Sequence, residues 1–355
     1  MPSLLITGAA GYIGSHFAEA LIGQGVLSDG PLELHFLDDL STGHREFLDR
    51  LVVLAESKGL PRPKIHEASL TDAPALEGAI EQARPEAVLH FAALISVAES
   101  VQKPELYFRN NVEGSQNLLR ALQKVNCRRL VFSSTAAVYG NPQDPAVASR
   151  PLPESTALAP VNPYGETKLA MERAIQEASR NWGLNAVIFR YFNAAGASAS
   201  GSFGEWHEPE THLIPLLLRA ASRGDKLKVF GSDYATRDGT CIRDYIHVED
   251  LASAHLLGLK RLMGGAVSAA GATEIFNLGT AQGTSVLEVI RAAEQVLGHP
   301  VGYEIHPRRA GDSAVLVADS TRARQVLGWE PKHSSMEHIL RTAWGWERGL
   351  QASGR

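Results

Sequence analysis

A tyrosine and a lysine four residues apart, in P-Y-G-E-T-K at 163–168, are the pair best suited to chemistry in this chain. On a helix, Tyr164 and Lys168 share one face. A free phenol, with a pKa near ~10, is a poor base at neutral pH. A lysine ammonium alongside, together with the positive ring of a bound nicotinamide nucleotide, would stabilise the phenolate and let it take a proton from an alcohol. Upstream, S-S-T-A-A-V-Y-G at 133–140 offers the hydroxyl of Thr135. An exposed tyrosine–lysine pair at this spacing is also common on helices of no catalytic consequence. The weight of the pair therefore depends on what else the chain carries.

It carries a turn fit for a dinucleotide. Residues 4–16 read L-L-I-T-G-A-A-G-Y-I-G-S-H. The apolar run 4–7 predicts a buried strand, Gly8, Gly11 and Gly14 follow, and the pattern over 16–21 predicts a helix. Bare backbone N–H groups and the positive end of a helix would meet a pyrophosphate there. A second strand predicted over 32–37 ends in Asp38-Asp39, placed to accept hydrogen bonds from a ribose and to repel a 2′-phosphate. That selects NAD over NADP.

The elements that must position these groups follow in order. Helices are predicted over 45–58, 72–83, 104–125 (carrying Asn110 and Asn111) and from 163 to about 179, with strands over 64–68, 87–93, 129–134 and 185–190. Strands alternating with helices of this length predict an α/β fold, a Rossmann-type doubly wound parallel sheet. The strand A-V-L-H-F-A-A at 87–93 ends in small residues, which leave room for a ligand. The rhythm loosens after Asn193. The Gly-, Ser- and Pro-rich stretch 194–212 reads as a mobile loop over a cleft, or as a plain surface connection. A smaller C-terminal substrate domain follows, with 244–259 regular enough to return to the main sheet and 264–271 a small-residue linker.

Composition narrows the classes. The 355 residues are 44% hydrophobic and 21% charged, an ordinary globular balance. A formal charge of −5 argues against nucleic acid. No apolar run approaches the ~20 residues needed to span a bilayer, and the chain opens directly into its first strand, so neither membrane partner nor signal peptide is expected and the cytoplasm is the expected compartment. Cys127 and Cys241 alone give neither a disulfide framework nor a metal cluster, and the thirteen histidines show no metal-ligand spacing, so no metal is expected. His16 reads as packing or a cap. Glu205, Glu208 and Glu210 read as solvated loop residues, and Trp344 and Trp346 as packing.

The glycine turn with Tyr164 and Lys168 resembles the extended short-chain dehydrogenase/reductases, and within them the UDP-glucose 4-epimerase (UDP-galactose 4-epimerase) family. The resembling blocks are G-Y-I-G-S-H at 11–16, E-S-V-Q-K-P at 99–104, N-N-V at 110–112 and S-S-T-A-A-V-Y-G at 133–140. They continue with R-Y-F-N at 190–193, D-G-T-C-I-R-D-Y-I-H-V at 238–248 and R-R-A-G-D at 308–312. Sugar-nucleotide dehydratases of this fold carry an acidic pair after the hydroxyl residue, where this chain has Ala136 and Ala137. The related decarboxylases usually carry a glutamate in the same stretch. The resemblance thus implies oxidation at C4 of a UDP-hexose and its reversal, with NAD retained through turnover. Tyr164 would act as base, Lys168 would support it, and Thr135 would polarise the sugar oxygen.

By the same resemblance NAD contacts fall on Gly8, Gly11, Tyr12, Ile13, Gly14, Asp38, Asp39, Leu40, Ser69, Leu70, Phe91, Ala92, Ala93, Asn110, Tyr164, Lys168 and Phe192. Substrate contacts fall on Thr135, Tyr164, Asn193, His212, Leu213, Phe230, Arg243, Arg309, Asp312 and Leu316, the arginines suited to a diphosphate. The implied domains are 1–192 for NAD, with 241–262 returning to it, and 193–240 with 263–355 for the UDP-sugar. A homodimer through helices 104–125 and 164–180 is implied as well. The chain departs from the family pattern at Thr135 (commonly Ser), Ser69 (often Asp), Ile95 (commonly Lys), His212 (Asn) and Leu316 (a bulky Tyr in some relatives). Leu316 would leave space for a 2-acetamido group and so for UDP-N-acetylglucosamine. Epimerisation of UDP-xylose/arabinose or of a uronate, net NAD-dependent oxidoreduction, and non-catalytic NAD sensing stay open as alternatives.

Overall fold

A strand of β-branched and aliphatic residues buried on both faces can sit only inside a sheet covered on both sides, and Ser3–Thr7 is buried along its whole length. In the computed structural model, which describes residues 2–24, 32–142, 150–265, 271–309 and 312–352, this strand lies within a seven-stranded sheet. From edge to edge the order is Thr273–Leu278, Asn185–Tyr191, Arg129–Thr135, Ala87–His90, Ser3–Thr7, Glu33–Asp38 and Lys64–Glu67. The pairings from Arg129–Thr135 across to Lys64–Glu67 all run parallel, with Thr7 opposite His90 and His90 opposite Phe132. The strand order reverses at Ser3–Thr7, which is where such sheets open a crevice for a ligand.

The chain folds as two compact units: Met1–Val138, Asn162–Arg190 and Ala252–Phe276 make the first, and Tyr139–Val161, Tyr191–Leu251 and Asn277–Arg355 the second. The first has a core of Leu5, Val88, Leu118, Leu130, Phe132 and Ile175, among others. The second has its own core, built around Leu217, Val229, Tyr245, Val289 and Leu340. Relative to the expected boundaries, 139–161 groups with the second unit. The region 241–262 does not return as a strand. Tyr245–His247 pairs instead with Asn193–Ala195 in a separate two-stranded parallel sheet. What joins the first unit is the helix Val248–Met263 from Ala252 onward, where a Cβ on Gly258 would meet the Phe189 ring at 2.8 Å and His255 packs on Phe91 and Phe189. The strand added to the main sheet is Thr273–Leu278. Of the expected linker at 264–271, residues 266–270 lie outside the described residues, as do Ala310 and Gly311 of the R-R-A-G-D block.

The predicted helix 104–125 is three pieces: Pro104–Tyr107, a π-helical turn Phe108–Glu113, and Gly114–Lys124. Such turns widen a helix by one residue and re-aim side chains. Here the turn buries Asn111, whose Oδ1 accepts from Leu94 N (2.8 Å) and whose Nδ2 donates to Leu94 O (3.0 Å) and Thr167 Oγ1 (3.2 Å). The stretch 194–212 is not a loose loop. It includes a strand at Asn193–Ala195, an antiparallel bridge between Ala197 and Gly204, and buried Phe203, Gly204 and Glu205. Trp346 closes over it, donating its Nε1–H to Glu205 O at 2.9 Å. Among the described residues no helix is long and apolar enough to cross a membrane.

Candidate active site

Asn162 starts the helix Pro163–Trp182 by accepting from Gly165 N at 2.8 Å, with Pro163 in the first turn, where a missing N–H does no harm. Tyr164, Lys168 and the buried Glu172 then follow at intervals of four along one face. Lys168 Nζ donates to Ser133 O at 2.8 Å and sits 5.1 Å from the Phe132 ring centre. The Thr135 hydroxyl hydrogen-bonds the phenol of Tyr164 and accepts from Ala137 N at 3.1 Å. The three residues expected to carry chemistry are thus brought together where Arg129–Thr135 ends.

Burial governs their protonation. It pushes the Tyr164 phenol up to about 12, against the pull of the Thr135 hydrogen bond. It brings Lys168 down to about 7, against the nearby charge of Glu172. The protein alone therefore does not lower the phenol as the lysine pairing suggested, because desolvation outweighs the Thr135 hydrogen bond. A cationic ligand ring would have to supply the missing positive charge.

Beneath the pair lies a group that sequence reasoning missed. Glu172 accepts from Ser134 Oγ at 2.5 Å, from Arg190 Nε at 2.9 and 3.2 Å, and from Arg190 Nη2 at 2.5 Å. Its place four residues beyond Lys168 was the available signal. His90 was also overlooked. It is buried between Thr7 Oγ1 (2.7 Å) and Ser115 Oγ (2.8 Å), and burial holds it down at about 3 and hence neutral.

Gly8, Gly11 and Gly14 follow the strand Ser3–Thr7, where the order of the sheet reverses. Gly8 has φ +72°, and a Cβ there would lie 2.5 Å from Ala92 N; a Cβ on Gly14 would lie 2.1 Å from Gly8 O. Helix Tyr12–Gln24, holding Tyr12 and Ile13, has no acidic residue in its first turn. A glycine cradle ahead of an uncompensated helix N-terminus fits a pyrophosphate. His16, as expected, is packed in that helix, its Nδ1 2.6 Å from Tyr12 O. Asp38 is buried, its Oδ2 accepting from Ala10 N (2.9 Å) and Oδ1 from Leu40 N (3.0 Å). Burial raises its carboxyl against these hydrogen bonds. Leu40 takes a left-handed conformation, φ 57°, that leucine rarely adopts. Asp39 is exposed and accepts from Ser41. Ser69 bonds Thr71, and buried Leu70 packs beneath Gly114. Phe91, with Ala92 and Ala93, follows the strand Ala87–His90, and Asn110 donates to Asn111 Oδ1.

In the second unit the expected substrate residues form three groups. Arg243 pairs in register with Leu316. Its Nη1 donates to Ile242 O (2.9 Å) and Ser313 O (2.8 Å), and its Nη2 faces Asp312 Oδ1 at 3.5 Å. Arg309 lies with its guanidinium 4.0 Å over the Phe230 ring, and its carbonyl accepts from Asp312 N. Asn193 N donates to Asp244 O, and Phe192 packs near Tyr139. Asp244, unnoticed in the sequence, underpins this region: fully buried, it accepts from Thr280 N and Oγ1, Ala281 N and Ala318 N. His212 precedes Leu213 at the start of the helix Leu213–Arg223 and turns its Nδ1 toward Glu205. The expectation that Glu205, Glu208 and Glu210 are solvated holds only for Glu208; Glu205 is buried and the Glu210 side chain is 1% exposed.

Comparison with known proteins extends this geometry. Residues 4–279 match the model of the NAD dependent epimerase/dehydratase family. A UDP-glucose 4-epimerase of Lactobacillus helveticus is 44% identical over 346 residues, 97% of each chain. A UDP-glucose-4-epimerase from Stenotrophomonas maltophila, solved with bound NAD and formylated UDP-arabinopyranose, superposes with a TM-score of 0.89 at 38% identity, covering 99% of this chain and 100% of that one. A UDP-glucose 4-epimerase from Bifidobacterium longum, solved with NAD+ and UDP, gives 0.87 at 33% identity over 98% of both.

Proposed function

The chain belongs to the NAD dependent epimerase/dehydratase family, and we propose that it interconverts UDP-glucose and UDP-galactose by inverting C4 of the hexose. The observation that carries this reading is the joining of Thr135, Tyr164 and Lys168 at the end of a strand in a dinucleotide-binding sheet, with alanines rather than acids at 136 and 137. Elimination of water would need acids there. Gly8, Gly11, Gly14 and the start of helix Tyr12–Gln24 would hold the pyrophosphate of NAD, and Asp38 the adenosine ribose. When bound, NAD supplies a hydride acceptor, a hydride donor for the return step, and the positive charge that the buried phenol lacks.

Tyr164, as phenolate, takes the proton of the 4-hydroxyl, and Thr135 shares that hydrogen bond. Lys168, anchored on Ser133 O, offers its charge to the phenolate and is kept more basic by Glu172. The proton returns from Tyr164 when the 4-keto sugar is reduced on its opposite face. Arg243, Arg309, Asn193, Phe230, Leu213 and Asp312 would hold the UDP, whose binding energy keeps the keto sugar from leaving while it turns. Leu316, beside Arg243 in its strand pair, supports UDP-N-acetylglucosamine as a second substrate.

Two copies would pair through the helices at 104–125 and 164–180. Leu106 and Phe108 stand exposed on the first of these, as a buried interface would require, and light scattering tests the pairing. The activity is tested by incubating protein with UDP-galactose and no added NAD: UDP-glucose should form. A requirement for NAD in each turnover would instead identify a net oxidoreductase, and inertness toward UDP-hexoses with activity on UDP-xylose would shift the substrate.

A further inference from the structure

The stretch G-E-W-H-E-P-E-T-H at 204–212 folds four side chains to one point. Glu205 Oε1 lies 2.5 Å from His212 Nδ1 and 3.4 Å from His207 Nδ1. Glu210 Oε1 lies 3.5 Å from His212 Nδ1, and Glu210 Oε2 lies 3.8 Å from His207 Nδ1. One nitrogen or oxygen from each of the four falls within 4.8 Å of all the others. Glu205 is only 5% exposed, and its Oε1, with Glu210 Oε2 and His212 Nδ1, is buried facing the other members of the cluster, with no hydrogen bond of good geometry. Glu210 uses Oε1 to accept from Thr211 N (2.7 Å) and His212 N (2.9 Å), which fixes the carboxylate with Oε2 turned inward.

We propose that Glu205, His207, Glu210 and His212 form a binding site for a divalent transition-metal cation of the zinc type. Four ligand atoms at ~2.0–2.1 Å from a central ion form a tetrahedron with edges of roughly 3.3 Å, and two of the four facing distances, 3.4 and 3.5 Å, lie close to that value. Two carboxylates and two neutral imidazoles neutralise a dication in a place where isolated charges are unfavourable. The mixed nitrogen and oxygen set suits zinc, whereas magnesium and calcium take six or more oxygens. Four protein ligands leave no open position, the pattern of a structural site. The cation would tie the segment after the Ala197–Gly204 bridge to the first turn of helix Leu213–Arg223, and would hold His212 by its Nδ1. This proposal is independent of the reaction the chain catalyses.

The test uses untagged full-length protein, treated with EDTA, reloaded with Zn2+, desalted and analysed for metal. One equivalent per chain is expected, with a thermal midpoint that falls on stripping and recovers on reloading. Co2+ in place of Zn2+ should give the visible bands of a four-coordinate ion, a readout that needs no variant. His207→Ala and Glu210→Gln should weaken Zn2+ binding by at least ~100-fold, since losing even a partner of a ligand weakens sites by about 10–100-fold. The proposal is overturned if the stripped protein takes up no Zn2+ or Co2+. It is equally overturned if uptake survives both variants and is lost with His338→Ala, which would place the metal at His247, Glu249 and His338 instead.

Discussion

Replacing Glu172 by glutamine removes one charge from a pair sealed in the first unit, where the Arg190 and Glu172 side chains are 3% and 1% exposed. The carboxylate holds the guanidinium through two donor nitrogens and takes the Ser134 hydroxyl as well. Glutamine keeps the shape and one acceptor but takes away the carboxylate charge that faces the Arg190 guanidinium. Breaking a buried pair from one side destabilises by about 3–5 kcal/mol. The retained acceptor places Glu172→Gln near ~3 and Glu172→Ala near ~5 kcal/mol within that range. For a unit of this size, ~3 kcal/mol corresponds to a thermal midpoint lower by roughly 6–12 °C. Urea unfolding followed by circular dichroism measures the first quantity and a thermal scan the second. Substituting both partners by apolar residues, Glu172→Leu with Arg190→Met, should recover most of the loss, because no charge is then stranded. A Glu172→Gln loss below ~1 kcal/mol would refute the reasoning, since a guanidinium deprived of its facing carboxylate would then carry almost no penalty.

Tyr164→Phe should lower the epimerisation rate by about 10²–10⁴-fold, the usual worth of a positioned base, with an unchanged thermal midpoint; chromatography of UDP-hexoses and a thermal scan check both. Gly14→Ala drives a Cβ to 2.1 Å from Gly8 O. NAD binding should be lost and stability fall by about 1–3 kcal/mol, read by titration with NAD and by urea unfolding. Lys168 has a folded pKa near about 7 against 10.5 when unfolded, so between these values the unfolded chain binds the extra proton and stability rises with pH. Without added nucleotide, wild type should gain on Lys168→Met by up to ~1.4 kcal/mol per pH unit from pH 7 to 9; a flat difference in urea midpoints would contradict the burial of that amine.

The parts of the molecule legible in the sequence are those with short-range signatures. Glycines at 8, 11 and 14, an acid after the second strand, and a Tyr–Lys interval of four are each dictated by local geometry. What escaped depends on contacts between segments distant in the chain. Asp244 collects donors from Thr280, Ala281 and Ala318, none of which its neighbours announce. The π-turn at 108–113 is invisible in an apolar pattern that continues through it. Glu205 and Glu210 looked solvated because polar residues amid glycine and proline usually are, and the cover of Trp346 over Glu205 argues against that reading.

The central claim is that hydride leaves and returns at C4 within one binding event. Protein supplied with UDP-galactose carrying deuterium at C4, in the presence of excess unlabelled NADH, tests it by mass spectrometry of the product. The UDP-glucose formed should keep its deuterium in full, with Tyr164→Phe forming almost none. Washout of the label into the NADH pool, or incorporation of solvent hydrogen at C4, would contradict it.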